Sequence, residues 1–482
     1  MKPSFFKSPF QNEGILKIIY CFAKERRIKL FLVGGILRDL ILAREKENPD
    51  FDFCLKKGAI SFSRKLAKKI KAGFVILDKE HGAARLVKKI KDKVYTLDFT
   101  DFRGATLEKD LLHRDFTINA LTLELEKVFG TDDPYNLLID PYAGKKDLEK
   151  KIIRIVNNKA FAEDPLRILR AFTFSCLLDF KIDKKTLKLA KLERHRLTKV
   201  SCERIRDELF KIFATPVAFD CLSQLDELKI LEIIFPEIKK MRGVGQGPYH
   251  HLDVWQHTLE ALREFENLTV ELKNSQEIQD YLNEVISGER RRYALLKLAA
   301  LLHDIGKPAA LRHEDGKTIF HGHERMGLEI TENIARRLKL SNDEINSLKI
   351  MVLWHLRPGY LADNEELTSR AIFRYFRDTG REAIGILLLS LADQRATRGP
   401  LTTDESRRRH EKLVSGLIKE YFRTKKEKKI PRLINGDDLM RKFKLGPSPL
   451  IGKILAEIEE LQAIGKIKTK RQAFQVAKKF IK

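Results

Sequence analysis

The stretch from Phe31 to Phe53, FLVGGILRDLILAREKENPDFDF, limits what this chain can fold into more than any other. It predicts a strand over 31–33, a Gly34-Gly35 turn, a short helix running to Ala43, a polar break at Asn48-Pro49 and a second strand carrying Asp50 and Asp52. Side chains alternate faces along a strand, so Asp50 and Asp52 project together while Phe51 and Phe53 turn into a core. Two carboxylates on one face make a seat for a hard cation such as Mg²⁺, which takes oxygen ligands and shares its coordination sphere with substrate phosphates. Gly34 and Gly35, lacking Cβ atoms, let the backbone approach a triphosphate, and the helix behind them aims free N–H groups and its positive end at the same anion. Arg38, one turn in, adds a charged fork. A Gly-Gly turn or a DxD alone is common; the ordered combination is the specific signal.

That combination resembles the active-site signature of the DNA polymerase β-like nucleotidyltransferases, in the class II branch of tRNA nucleotidyltransferases (CCA-adding enzymes) and bacterial poly(A) polymerases. The segment LLHRDFTINALTLEL at 111–125 is similar to the family's Arg-Asp-Phe-Thr-Ile-Asn-Ala motif. The resemblance makes Arg114 a triphosphate clamp and gives Asp115 and Asn119 the task of holding the loop; the family commonly has a second arginine where this chain has His113. Asp98, in YTLDFTDF, falls on a strand able to lie beside that of Asp50. It reads equally as a third catalytic carboxylate and as a solvated strand-end residue. Asp140-Pro141-Tyr142-Ala143-Gly144, with Asp147 beyond, matches the family's next motif and reads as a structural turn between head and neck.

At 161–175 the run FAEDPLRILRAFTFS resembles the family's Glu-Asp-x-x-Arg motif. The resemblance implies that Asp164 and Arg167 form an amino-acid template pairing with the base edges of CTP and ATP, with Arg170 continuing the face. The family often has a further arginine at the position of Thr173. On the residues alone, Pro165 behind Glu163-Asp164 is already a sufficient helix start, and the three-residue spacing puts Asp164 and Arg167 on one helical face. Glu203, Arg204 and Glu208 in SCERIRDELFKIF match the last motif and brace the neck by helix ion pairs.

A second block begins near Pro248, with YHHLDVWQHTLEAL, LAALLHDIGKPAA, IFHGHERMG and LLLSLADQRA in order. It resembles the HD superfamily of metal-dependent phosphohydrolases, whose ligands map onto His257, His303, Asp304 and Asp393. Gly306 and Pro308 are expected to end the central helix beside the metal. His323 and His355 would widen the site to two metals, while His250, His251, His313 and His321 are surface or supporting residues. Imidazole ligands select a transition metal (Ni²⁺, Mn²⁺, Co²⁺ or Fe²⁺), unlike the all-oxygen head.

The resemblance spans nearly all 482 residues and implies an α/β head (14–150), then an all-α helical neck (151–240), an HD domain (245–420) and a helical tail (431–482) behind the charged connector at 423–432. A formal charge of +25 points to a polyanionic partner: a nucleic acid, with a membrane surface as the competitor. No uncharged apolar run approaches the roughly 18 to 20 residues that span a bilayer; the longest, 383–392, fits a buried helix. MKPSFFKSPFQNEG lacks a secretory h-region, so the cytoplasm is the expected location. Five scattered cysteines, without a CxxC pair, argue against a disulfide framework and suit buried positions for most of them.

The resemblance therefore implies template-independent addition of CCA to tRNA from CTP and ATP. Partial enzymes adding only CC or only A share every motif quoted. Poly(A) polymerase is the nearest rival, although bacterial examples usually carry a Gly-Arg/Lys-Arg-Phe stretch with a following His where this chain has FVILDKEHGAARLV. An HD phosphohydrolase with an RNA-binding head is the rival of another class. The sequence carries no signal for oligomeric state.

Overall fold

The computed structural model describes residues 14–44, 48–129, 134–364, 366–426 and 431–481, so the reading of the N-terminal stretch lies outside the described residues. The chain divides into two compact units, Met1–Glu208 with Glu227–Ile233, and Leu209–Asp226 with Ile234–Lys482.

The first unit is built on a six-stranded mixed sheet of order β3-β4-β5-β2-β1-β6. Its strands are β1 (Phe31–Val33), β2 (Asp50–Leu55), β3 (Gly73–Asp78), β4 (Ala83–Ile90), β5 (Lys93–Asp101) and β6 (Thr122–Glu124). Its helices include α1 (Gly14–Lys24), α2 (Gly35–Ile41) and α3 (Ala59–Ile70). Alternation along β2 buries Phe51 and Phe53, and Phe53 stacks on Phe99 of β5 with centroids 4.8 Å apart. Each fully buried side chain of that size contributes about 1.5–3 kcal/mol. β2 and β5 are the parallel pair, and their register sets Asp52 against Asp98 and Asp50 against Thr96. The stacked Phe layer thus fixes which carboxylates become neighbours on the opposite face.

Beyond the head the pattern is not wholly helical. Ile152–Ile153 pairs in parallel with Lys181–Ile182, and the second unit carries two short hairpins, Val285–Ser287 with Arg290–Arg291 and Arg312–Glu314 with Lys317–Ile319. Pairs this short show no two-residue period to read. The neck helices α4 (Arg167–Leu178) and α5 (Cys202–Phe213) follow, α5 carrying the chain from one unit to the other.

The second unit is a helical body: α6 (Val254–Glu271), α7 (Arg292–Leu302), α8 (Lys307–Ala310), α9 (His323–Arg337), α10 (Asn342–Trp354), α11 (Ser369–Thr379), α12 (Ala383–Ala396) and α13 (Asp404–Lys426). The apolar run at 383–392 is the buried length of α12, packed on α6 and α13. Pro308 opens α8 rather than ending α7, as suits a residue that has no N–H to donate. Of the connector, 423–426 extend α13, while 427–430 lie outside the described residues. The tail has three helices, α14 (Gly436–Phe443), α15 (Pro449–Ala463) and α16 (Lys470–Lys478). The last was hidden by its Lys- and Arg-rich sequence. Buried Glu460 of α15 holds the tail to Arg374 of α11 (2.8 Å).

All five cysteines are free, but only Cys54 and Cys221 are buried; Cys21 is exposed and Cys176 and Cys202 are intermediate, since each falls on the outer side of an amphipathic helix. Among the described residues no helix is long and apolar enough to cross a membrane.

Candidate active sites

In the head, Gly34 adopts φ +81°, a backbone state that side chains rarely take. A Cβ there would sit 3.0 Å from Asp52 Oδ2 and 3.5 Å from Arg114 Nη1. The turn, the carboxylate and the guanidinium are therefore immediate neighbours. Asp98 faces the same side from β5, where Arg85 of β4 binds it through two parallel bonds, Nε to Oδ1 at 2.8 Å and Nη2 to Oδ2 at 2.7 Å. The bond to Asp98 raises the Arg85 pKa against the opposing effect of burial, with Asp50 and Asp52 adding to it. The three carboxylates offer only oxygen donors on one face, which fits a hard divalent ion. Arg85 was missed; its position between buried Ala84 and Leu86, on the face opposite theirs, was the available signal.

Arg38 does not present a free fork. It is buried, donates from Nε (2.9 Å) and Nη2 (2.7 Å) to Asp39 Oδ1 and from Nη1 to Asn119 Oδ1 (2.7 Å), and lies over the Phe174 ring. Asn119 Nδ2 donates to Asp115 Oδ1 (3.0 Å), and Asp115 Oδ2 accepts from Arg170 Nε (3.0 Å) and Nη2 (2.7 Å). Arg170 also lies over Phe174, 5.2 Å from its centroid. One buried relay thus runs from α2 through the Asp115–Asn119 loop to α4. The sequence spacing of 81 residues between Arg38 and Asn119 could not reveal it.

Asp164 and Arg167 do not share a helical face. Asp164 is extended, between the turn Ala160–Glu163 and α4, and its Oδ1 accepts from Leu166 N while its Oδ2 pairs with Arg204 (2.8 Å). Arg167 is buried and donates to the carbonyls of Ala160 and His113 and to Glu163. Pro165 delays the helix by two residues, which breaks the i,i+3 projection. Asp140 caps Gly144 and Lys145, and Asp147 binds Thr117 and Arg154, as a structural turn requires.

The second unit converges on Asp304. His303, His323 and His355 each direct Nδ1 at the carbonyl three residues earlier, Ala300, Phe320 and Val352. Donation there fixes each ring's orientation and turns its Nε2 inward, the arrangement metal-binding imidazoles use. His303 Nε2 lies 3.2 Å from Asp304 Oδ2, and His323 and His355 Nε2 lie 3.3 and 3.7 Å from Asp304 Oδ1. His257 Nε2 lies 2.8 Å from Asp393 Oδ1 and 3.6 Å from Asp304. Two cation-sized clusters result, His257–His303–Asp304 and Asp304–His323–His355. His303 Nε2 is buried without a hydrogen-bond partner among the described residues, and two imidazoles and a carboxylate converge there, so the donor set fits a metal. Burial opposes charge on His303, yet Asp304 and Asp393 hold its pKa up to about 10. Burial likewise opposes ionisation of Asp304 and Asp393, but His303 and Lys307 on the first, and His257 and His303 on the second, keep both carboxyls well below their usual range.

Gly306 makes this closure possible: a Cβ there would meet the His323 carbonyl at 2.1 Å. Lys307, which was missed, bridges Asp304 (2.7 Å) and Gln246 (2.6 Å); its i,i+3 spacing from Asp304 was the signal. His251, His313 and His321 are exposed, while His250 packs edge-on against His257.

Family models match three stretches: the poly A polymerase head domain over 30–154, the probable RNA and SrmB-binding site of polymerase A over 179–241, and the HD domain over 254–397. The chain is 30% identical to an A-adding tRNA nucleotidyltransferase of Deinococcus radiodurans, over 92% of this chain and 93% of that one. It is also 30% identical to a CC-adding tRNA nucleotidyltransferase of Geobacter sulfurreducens, over 98% and 95%. The solved Thermotoga maritima CCA-adding enzyme complexed with tRNA matches in fold, with a TM-score of 0.65 at 22% identity over 99% and 97% of the two chains. Full-length identity of this order, joined to a head with its carboxylates in register and a body with its imidazoles convergent, makes the chain a member of the tRNA nucleotidyltransferase family.

Proposed function

We propose that this chain completes tRNA 3′ ends, adding C, C and A from CTP and ATP in its head, and that it acts in the cytoplasm where those substrates are. The observation that carries the reading is the register of β2 on β5, which gathers Asp50, Asp52 and Asp98 beside Gly34 and Arg114. In this reading the RNA 3′-oxygen attacks the α-phosphorus of the nucleotide, the bond to pyrophosphate breaks and the hydroxyl proton passes to solvent. Asp50 and Asp52 would hold Mg²⁺, which would supply activation of that hydroxyl and neutralise charge on the leaving pyrophosphate. Gly34 and Gly35 leave room for the triphosphate and Arg114 grips it. Asp98, steadied by Arg85, completes the carboxylate face. Asp164 and Arg167 select the base; for this Asp164 exchanges Arg204, and Arg167 exchanges Glu163, for a base edge, and Arg170 acts through Asp115.

The second unit, in the same proposal, is a phosphohydrolase centre in which His257, His303, Asp304 and Asp393 hold a transition metal and His323 and His355 a second one. The 30% identity to an A-adding relative and to a CC-adding one supports two narrower alternatives, in which only the terminal A or only CC is added. Incubating the protein with tRNAs lacking CCA, CA or A, each with CTP, ATP or both, tests these readings. Full CCA extension supports the proposal; extension only of the tRNA lacking A supports the A-adding alternative and extension that stops at CC the CC-adding one; long A tracts or no extension overturn all three.

A further inference from the structure

The open face of the head's sheet continues past its carboxylates. The pairing registers carry two rows of side chains outward across it, Asp52–Asp98–Arg85–Val75 and Asp50–Thr96–Val87–Gly73. Helix α3 covers the opposite face, where Phe62 meets Phe99 and Arg64 lies over Phe74. On the open face Val75 and Val87 are 54% and 42% exposed, and Leu77, at the bulge beyond Val75, is 49% exposed. Single exposed apolar side chains are ordinary, but these three are neighbours in the strand register around one guanidinium, that of Arg85.

Two parallel bonds to Asp98 hold the Arg85 guanidinium in place, and 43% of its side chain still reaches solvent. A flat guanidinium bordered by aliphatic side chains is a surface on which a nucleobase stacks, with dispersion and cation–π attraction and no reading of the base edge. Lys89, exposed and next after Val87 on the same face, is a cation for the phosphates of the same strand. Neighbouring strands lie about 4.8 Å apart, so β4 runs roughly 10 Å from the strand of Asp50 and Asp52, within the span of one nucleotide.

We propose that Val75, Leu77, Val87 and Arg85 form a shelf that supports the base of the RNA's 3′-terminal nucleoside while its 3′-oxygen reaches the carboxylates. The inference rests on the nucleotidyl-transfer reading above. On that reading the strand ends in a different nucleoside as addition proceeds, so the support under it must accept any base. An aliphatic and guanidinium surface does this, because every base has a face to stack and none needs a matching donor or acceptor. Selection between CTP and ATP then stays with the incoming nucleotide, and the shelf holds only the acceptor strand.

The test uses the full chain and two tRNAs, one lacking CCA and one lacking A, each prepared with its 3′-terminal base and with that base removed. Single-turnover extension gives the RNA concentration for half-maximal rate. In Val75→Ser/Leu77→Ser/Val87→Ser, whose replaced side chains are exposed and leave the core intact, that concentration is expected to rise about fivefold for intact tRNA, the low end for one stacked base, and to stay unchanged for the base-less one. Val75→Phe, which widens the shelf, is expected to lower it for intact tRNA alone. Nucleotide affinity and circular dichroism remain those of wild type in both variants. Equal shifts for intact and base-less tRNA, or no shift in either variant, overturn the shelf. A wild-type dimer in sedimentation that the serine variant dissociates, with the RNA dependence unchanged, overturns it in favour of a second copy of this chain. A wild-type chain that extends neither intact tRNA overturns the nucleotidyl-transfer reading itself, and that result is in hand before any variant is made.

Discussion

Arg170→Met tests whether the buried relay between α2 and α4 holds the head together by charge. In the intact protein Asp115 is buried and keeps four hydrogen bonds, two from Arg170 and one each from Asn119 and Phe116. The substitution preserves most of the side-chain volume and the contact with Phe174 but leaves the carboxylate with the last two bonds alone. Removing one partner of a buried ion pair costs about 3–5 kcal/mol. A third of the Arg170 side chain reaches solvent, and this screening brings the expected loss to about 2–3 kcal/mol. For a unit of this size that is a melting-temperature drop of roughly 4–12 °C.

The pH dependence has a definite sign. In the wild type, burial opposes ionisation of Asp115, but Arg170 and Asn119 overcome it and hold the carboxyl below its usual value. That contribution is fully present above the unfolded pKa of about 3.9 and disappears as the pH falls through the lower folded value. In Arg170→Met, burial is left without its main opponent and the carboxyl rises, so the deficit is largest at neutral pH and shrinks toward about pH 5. Asp115→Asn in the same background removes the buried charge and recovers most of the loss. Calorimetric melting of the four chains of this cycle between pH 5 and 8 reads all of it. A variant melting within a degree or so of wild type at pH 7, or a double variant less stable than Arg170→Met, refutes the reasoning.

Asp52→Ala should lose at least about a hundredfold of nucleotide addition in single-turnover assays while tRNA binding, followed by filter retention, stays near wild type, because the carboxylate serves the reacting phosphate. Gly34→Ala forces φ +81° on a side chain, at about 1–2 kcal/mol, and pushes its Cβ to 3.0 Å from Asp52; kcat should fall with little change in tRNA affinity, and full activity would refute the crowding. Lys297→Met leaves buried Glu266, now bonded to Lys297 at 2.6 Å, without its cation and should cost the second unit about 3–5 kcal/mol in chemical unfolding, most of it regained in Glu266→Gln/Lys297→Met.

The parts of the fold that sequence exposes are those with a local period. β2 could be placed from Phe51 and Phe53 alone, and α12 from an apolar run buried all round. The third tail helix and the two-residue strands at 152–153 and 181–182 had no such period, one being masked by charge and the others too short. The imidazole cluster around Asp304 was legible for a different reason: such a cluster needs particular residue types at several points, and the four ordered segments supplied them. What could not be read was the direction of each ring, which depends on backbone carbonyls at Ala300, Phe320 and Val352 that no side-chain pattern reports.

Arginines are where the reading of residues and the folded geometry part. Arg38, Arg167 and Arg170 all stand in motifs that invite a phosphate or a base, and all three are spent on the protein's own oxygens: Asp39 and Asn119, the His113 carbonyl and Glu163, and Asp115. A guanidinium has five donors in a fixed plane, so the same fork that suits a phosphate suits any pair of carboxylate or carbonyl oxygens, and sequence cannot tell which it meets. The geometry separates the roles by what each guanidinium touches. Arg114, beside Gly34 and Asp52 at the open end of the sheet, is placed to touch a ligand, whereas Arg38 and Arg170 lie over one ring, Phe174, and act through the loop between them. Substitutions at Arg38 or Arg170 should therefore change stability and nucleotide selection together, and at Arg114 nucleotide affinity alone; a stability loss at Arg114 as large as that at Arg170 would place all three in the scaffold.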